Sequence, residues 1–520
     1  MDQFPKFFRL GAVGPLQPKS SKISIVLLVT ACCVFATTIG YDSGLINGIN
    51  IMPQYTSWFK LTTVTKSLNT SASYIGWFIA AFLMGPIVNS IGRKGGILVS
   101  VLLKLIGIAV MTAATSVPMF VVGRIILGWA KGTAAIAGST WLAETLPAHV
   151  RGIGLSLTFS VFYVGALLGA GICYGTANIE GSASWRIPCA FMAVFSIICA
   201  CVLWGTPESP RWLLYCGREE EAIDVLASLY ANGDRNHPSV TKQHQEILAG
   251  IQTERETYSL SYIEMVRTAN ARKRMLLALS VAVISMLSGN NIVSYYLGDM
   301  LTQAGIYNTR VKLQIGIVLN SWCLVCAMTG TYFMDKAGRK VLTLLACTMM
   351  TITLFLVGAL TKFFGHGGDV SGVYATVAMI FLFQGSYSIG ITPITQLYPP
   401  EVLNFSIRAN GMAAWVFVVN VCGLLSTFAM PIALSAIGWQ LYMINGAWNA
   451  LQVLFVAVFW VETKGLSLED IDRLMDGKKA LGGRGTEEVV GDVLEGCSPE
   501  EYDVKEVGSE TITKVKGDRE

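Results

Sequence analysis

Hydrophobic and polar positions along this chain fall into long blocks. Apolar stretches of about 17–25 residues recur. They lie at 25–46, 73–90, 96–115, 118–140, 153–174, 187–205, 275–297, 313–333, 341–361, 373–396, 411–432 and 441–461. Lipid offers no partner to a backbone N–H or C=O, so such a run inside a bilayer must be helical. The pattern predicts an all-α membrane protein with twelve transmembrane helices. Two polar pieces interrupt it. Residues 206–273 form a charged middle segment with helical patterns at 217–231 and 241–256. Residues 462–520 form a polar tail whose Gly-, Glu-, Lys- and Asp-rich end reads as disordered. The expected organisation is a short N-terminus (1–24), a six-helix bundle (25–205), the middle segment, a second six-helix bundle (274–461) and the tail.

Composition sharpens this picture. The chain is 53% hydrophobic and only 14% charged, with a mean hydropathy of +0.54. Soluble proteins run at about 25% charged. A net charge of +4 gives no nucleic-acid signal. Most of the 12 cysteines lie inside apolar runs, in no zinc-site spacing. The four histidines form no metal-ligand constellation and no nucleophile motif appears, so an enzyme, a metal and a cofactor are not expected. Residues 1–22 are mixed and basic, without the short apolar run and cleavage site of a signal peptide.

Basic residues in the connections set an orientation. With both termini cytoplasmic, the inside receives Lys19, Lys22, Arg93, Lys94, Arg151, Arg339, Lys340 and Arg408 with Arg272, Lys273 and Arg274 of the middle segment. The outside receives Lys60, Lys66, Arg310, Lys312 and Lys362. Asn69-Thr70-Ser71 is then a glycosylation sequon expected in the first outer loop.

The inner loops repeat. Asn89-Ser90-Ile91-Gly92-Arg93-Lys94 follows span 2, and Asp335-Lys336-Ala337-Gly338-Arg339-Lys340 follows span 8. Glu144 and Arg151-Gly152 follow span 4; Glu401 and Arg408 follow span 10. Pro207-Glu208-Ser209-Pro210-Arg211-Trp212 follows span 6; Glu462-Thr463-Lys464-Gly465 follows span 12. A parallel duplication explains matching charges at matching places.

With Gly123-Arg124 opening span 4 and Trp185-Arg186 opening span 6, this combination resembles the sugar porter family of the major facilitator superfamily. Gly40-Tyr41-Asp42, Ala231-Asn232-Gly233-Asp234, Ser288-Gly289-Asn290-Asn291 and Tyr398-Pro399 look most like its fungal lactose and cellodextrin permease branch. The resemblance implies a major facilitator fold, a central site and alternating access. It also implies a plasma-membrane carrier, expected as a monomer, whose partners are a small-molecule substrate, protons and the bilayer.

The loop charges make sense as a gate. Glu and Arg at helix ends can pair across the two halves when the inner side closes, and separate when it opens. Exposed pairs contribute about 0–1 kcal/mol each, so a network biases two states without locking either. The candidates are Arg93, Glu144, Arg151, Glu208, Arg211, Asp335, Arg339, Glu401, Arg408 and Glu462. Where the family has aspartate and arginine this chain has Asn89 and Ser90, which weakens the first-half motif.

Ionisable residues at membrane depth are functional hypotheses by default. Asp42 ends span 1 and Arg124 lies early in span 4. In proton-coupled members of the resembling family such a pair couples protons to transport. The alternative is a static salt bridge pinning span 1 to span 4. Lys131 lies seven residues after Arg124, on the same helix face and roughly 10 Å deeper. Either it faces the cavity and favours an anionic substrate group, or it snorkels to an interface. For Lys104 the expectation is snorkelling.

Amide side chains suit sugars because each offers a donor and an acceptor to neighbouring hydroxyls. The resemblance points to Asn291 on span 7 and Asn320 on span 8, with Tyr295 and Tyr296, and Asn290 beside them. Elsewhere it departs. Family glutamine positions fall on Phe159, Ser285 and Met286, and the span 10 tryptophan is absent although Gln396 follows. Met and Phe supply adaptable apolar surface. The expected substrate is a sugar or related molecule; a less polar or anionic metabolite, moved outward, is the alternative. A nutrient sensor is disfavoured by the short tail.

Overall fold

A computed structural model describes residues 20–147, 161–257, 267–365, 370–403, 405–464 and 475, with the side chains of residues 253–257, Asp335, Gln396, Phe405, Ser406, Arg408 and Ala409 outside that description. Helices dominate, and no strand occurs among the described residues. The first half contains α1 (Ser21–Ile51), the short α2 (Pro53–Trp58), α3 (Thr63–Ile91), α4 (Arg93–Thr112), α5 (Val117–Thr145), α6 (Phe162–Thr176) and α7 (Ala183–Trp204). The middle segment forms α8 (Pro210–Tyr215), α9 (Glu219–Tyr230) and α10 (Pro238–Thr257). The second half contains α11 (Ala269–Leu287), α12 (Asn290–Gln303), α13 (Thr309–Ala337), α14 (Arg339–Phe364), α15 (Val370–Val402), α16 (Phe405–Ile437) and α17 (Gln440–Phe459).

Eleven described helical spans are long and apolar enough to cross a membrane, α11 and α12 counting together as one. The shorter apolar α6 stands where the twelfth is expected; residues 148–160 before it lie outside the described residues. Apolar side chains face outward along these helices, among them Phe82, Val325, Leu345, Leu451, Leu454 and Val458. In water such a belt would be untenable; in lipid it is the solvated surface. Residues 1–468 form one compact unit, and Met475 is the described residue of the unit 469–520.

Small residues set how closely the helices cross. A Cβ on Gly165 of α6 would stand 1.9 Å from the Thr37 carbonyl oxygen of α1, so only glycine permits this backbone contact. No such contact surrounds Gly171, the third glycine of that stretch.

Span 7 is broken. α11 ends at Leu287, Gly289 has φ +96°, and α12 restarts at Asn290, with a second irregular residue at Tyr296. A side chain at Gly289 would meet both its backbone angle and the Asn445 Oδ1, 3.0 Å from an added Cβ. The freed carbonyls find amide donors. Asn291 Nδ2 donates to Met286 O at 3.2 Å and Asn449 Nδ2 to Ser288 O at 3.0 Å. Non-helical backbone at this depth survives because protein satisfies it.

Candidate functional site

Three elements of the first half meet at Asp42. α1 carries the aspartate, α5 carries Arg124 and Lys131 one helix face apart by seven residues, and α3 supplies polar backbone. Asp42 is 1% exposed. Its Oδ1 accepts from Arg124 Nη1 at 2.5 Å, and its Oδ2 accepts from Lys131 Nζ. Arg124 is also held by α3. It donates to Asn69 O at 3.2 Å, Thr70 O at 3.3 Å and Ser73 Oγ at 2.9 Å. Arg124 therefore bridges α1 and α3.

This arrangement corrects three sequence readings. Lys131 neither snorkels nor lines the central cavity; its charge is engaged by Asp42. Lys104 is buried too, its Nζ 4.6 Å from the centre of the Phe35 ring. Asn69 sits inside α3, not in a loop. It is 1% exposed and its Nδ2 donates to the Tyr55 hydroxyl at 2.9 Å. A glycan cannot be attached to an amide so enclosed.

A small central cavity of about 30 Å³ lies where the two halves meet. α1 contributes Ser43 and Asn47, α6 contributes Phe162 and Tyr163, and α12, α13 and α15 contribute Ser294, Asn320 and Gln384. Its volume is that of about one or two waters; ligand pockets run to about 300–1,000 Å³. At this volume the cavity does not admit a sugar-sized solute. Two acceptors of this lining, Asn47 Oδ1 and Gln384 Oε1, are buried with no partner among the described residues. Such acceptors suit hydroxyl donors.

Of the residues expected to bind substrate, Asn320 lines the cavity and Asn290 adjoins it, its Oδ1 accepting from Gln384 Nε2 at 2.7 Å. Asn291 is turned to the helix break and donates to Ser426 Oγ at 2.6 Å. Tyr296 donates to Thr427 O at 2.9 Å, and Ser285 Oγ donates to Ala282 O within its own helix. Met286 Sδ lies against the Asn291 amide. The Tyr295 carbonyl accepts from Asn50 Nδ2 at 3.2 Å, joining α1 to α12. Phe159 and the Gln396 side chain lie outside the described residues. Sequence reading missed Asn47, Tyr163 and Gln384. A polar residue in an apolar run was the available signal, but nothing in one dimension says which face it occupies.

The loop charges form two equivalent clusters. In the first, Arg93 Nε and Nη2 donate to Glu144 at 2.9 Å each, and Ser209 Oγ donates to the same carboxylate at 2.5 Å. Glu208 accepts the N–H groups of Arg93, Lys94 and Ser209. Asn89 Oδ1 accepts from Arg93 at 3.2 Å, so the altered motif still takes part. In the second, Arg339 Nη2 donates to Glu401 at 3.2 Å and Thr463 Oγ1 donates to Glu401 at 2.7 Å. Glu462 accepts the N–H groups of Arg339 and Lys340. Glu208 and Glu462 thus each cap a helix N-terminus, where the dipole favours negative charge. Every one of these pairs lies within one half, not across the two halves as the sequence suggested. Arg211 opens α8 next to the first cluster. Arg151 and the side chains of Asp335 and Arg408 lie outside the described residues.

Among ion pairs of described residues, the one that joins the halves is at the opposite membrane face. Lys66 Nζ, near the start of α3, contacts Asp299 of α12 at 2.8 Å. Deeper, the Tyr163 hydroxyl bonds Ser388 at 2.8 Å across the same interface.

A family profile described as "Sugar (and other) transporter" matches residues 27–475. The chain belongs to this family. It is a multi-pass membrane transporter of the sugar porter type, for small molecules. Among similar proteins, an MFS glucose transporter, mfs1, of Aspergillus flavus is 29% identical over 85% of this chain and 89% of its own length. MFS-type transporter oryC of Aspergillus oryzae is 30% identical over 87% of this chain and 86% of its own. The xylose transporter XylE of E. coli in an inward-open conformation has the same fold, with a TM-score of 0.71 at 21% identity over 86% of this chain and 99% of that one. The all-α major facilitator architecture expected from the sequence is therefore the architecture of this transporter.

Proposed function

We propose that this transporter carries a small polyhydroxylated solute of the sugar class by alternating access, coupled to protons at Asp42. It works as a carrier and not as an enzyme. The observation that carries this reading is the acceptor pair Asn47 Oδ1 and Gln384 Oε1, buried without a partner among the described residues on two side chains that line a cavity at the interface of the halves. Asp42, paired with Arg124 of α5, lies five residues before Asn47 on the same helix. Arg124 has its own anchors on α3, so a shift of α1 against α3 changes how much positive charge faces Asp42. A carboxylate that loses a cation gains proton affinity. Solute binding at Asn47 and proton uptake at Asp42 then act on one helix. Relatives described as D-xylose–proton symporters fit this reading.

The protein is proposed to lie in the plasma membrane with both termini cytoplasmic. Arg93, Lys94, Arg339, Lys340 and the Arg272–Arg274 run share the face on which α1 begins, as the positive-inside rule requires. A less polar solute is favoured by Phe162, Ala166, Val293 and Leu319, apolar residues of the cavity wall.

Purified protein in proteoliposomes decides between these. Labelled D-glucose or D-xylose should enter, faster with an inward acid gradient. Entry of apolar metabolites with exclusion of all sugars would replace the sugar reading with the second one.

A further inference from the structure

Lys131 has no role in the coupling just described, yet it holds half of the Asp42 carboxylate. Arg124 takes Oδ1 and Lys131 takes Oδ2. The two cations differ in what else holds them. Arg124 has three further acceptors on α3. Lys131 has Asp42 as its hydrogen-bond partner among the described residues. When α1 and α3 shift, Arg124 can stay with α3 while Lys131 stays with Asp42. Among the described residues the surroundings offer no second anion. Lys104 of α4 adds a third buried cation, while Tyr295 of α12, Cys189 of α7 and Tyr41 on α1 itself are the other titratable neighbours. α3 turns carbonyls and Ser73 to this region, and α6 turns glycine and alanine backbone to it.

We propose that Lys131 is a positioning residue that lowers the pH at which Asp42 accepts its proton, so that the carrier loads protons only from acidic water. The inference rests on the proposed role of Asp42. A proton from water binds Oδ2 and forms the O–H bond; the hydrogen bond from Lys131 Nζ to that oxygen breaks, and Lys131 remains an ammonium. With Arg124 withdrawn, this second contact is what protonation must overcome. A cation at contact distance lowers a carboxyl group's titration by about 1–3 pH units.

Titration of the full-length carrier in liposomes tests this, following by difference infrared spectroscopy the carboxylic carbonyl band that Asp42→Asn removes. Lys131→Met, with Lys131→Gln as the second variant should the first not fold, should raise the midpoint by about 1–3 units. Lys131→Arg should keep the wild-type midpoint. An unchanged midpoint in both neutral variants overturns the proposal. Absence of the band down to pH 4 in wild type and neutral variants alike overturns it together with coupling at Asp42. A wild type that titrates at Asp42 but moves no protons with D-glucose or D-xylose rejects coupled sugar transport alone; the midpoint shift then still decides the role of Lys131.

Discussion

In the first half of the molecule, α1, α3 and α5 enclose Asp42, Arg124 and Lys131, all at most 8% exposed. In the second half, the interior around α12, α15, α16 and α17 encloses Asn291, Gln384, Ser388, Asn420, Asn445 and Asn449, all neutral. The inner loops of the two halves repeat one pattern of contacts. Arg93, Glu144, Glu208 and Ser209 have the same contacts as Arg339, Glu401, Glu462 and Thr463. Counted back from the matched pairs Glu144/Glu401 and Arg151/Arg408, Arg124 corresponds to Phe381 and Lys131 to Ser388. The loops kept one chemistry while the interiors separated into two. The first interior carries the charges; the amides and hydroxyls of the second meet Ser43, Asn47 and Tyr163 of the first at the cavity. Charge at membrane depth suits proton binding, while neutral amides suit hydroxyls and cannot take up a proton near neutral pH.

Substitutions can break or sharpen this contrast. The largest effect is expected for Asp42→Ala, which leaves two buried cations without a counter-charge. Breaking a buried pair costs about 3–5 kcal/mol. Thermal unfolding in detergent should show a large loss of stability and uptake against a gradient should vanish; an Asp42→Ala protein as stable as wild type would mean the charged interior is not distinct. Next come the loop carboxylates. Hydrogen bonds to a charged group contribute about 1.5–3 kcal/mol, and Glu208→Ala and Glu462→Ala should lose similar amounts if the loops are equivalent. Burial pushes the Glu208 carboxyl up from its ordinary range, against the N–H groups of Ser209 and Lys94 and the charges of Arg93 and Lys94. The folded protein then holds that proton more tightly than the unfolded chain. Its stability contribution is greatest at low pH and falls as pH rises from the ordinary carboxylate range through the folded value. Melting curves across that range should lose this slope in Glu208→Ala.

A smaller effect is expected in the neutral interior. Gln384→Ala removes hydrogen bonds of about 0.5–1.5 kcal/mol, so the sugar KM should rise about 2- to 10-fold with the pH profile unchanged. A shifted pH profile would show that the two interiors are not separate. The smallest effect belongs to Lys66 and Asp299, partly exposed at the opposite face. Such a pair contributes about 0–1 kcal/mol, so Asp299→Asn should shift the balance of conformations by no more than about fivefold. The labelling rate of Asn47→Cys by a water-soluble maleimide measures that shift.

Much of the fold was legible because lipid leaves the backbone one solution. Most apolar runs became helices with ends a few residues from their expected positions, although α3 begins ten residues before the expected 73 and span 7 is broken in two, and the paired loops showed the repeat. The Asp42–Arg124 contact was legible through the family resemblance, which pairs an aspartate and an arginine at these positions. The gate partners were not. Glu208 and Arg93 are far apart in sequence, and helix tilt alone decides whether they meet each other or the other half. Asn69 was misread for a related reason. Its sequon is polar, but α3 begins at Thr63 and carries it inward against Tyr55.

By itself the sequence determined the number of apolar runs, their helical state, their duplicated order and the presence of Asp42, Arg124 and Lys131 within them. These follow from local rules: lipid forbids unsatisfied backbone, and charge at membrane depth is rare. Tertiary structure alone decided that Lys131 faces Asp42 and not the cavity, that Gln384 meets Asn290 beside Asn47's helix, and that span 7 breaks at Gly289 under Asn445. Those depend on how each helix is rotated and how closely it crosses its neighbours, which side-chain packing over the whole molecule sets at once.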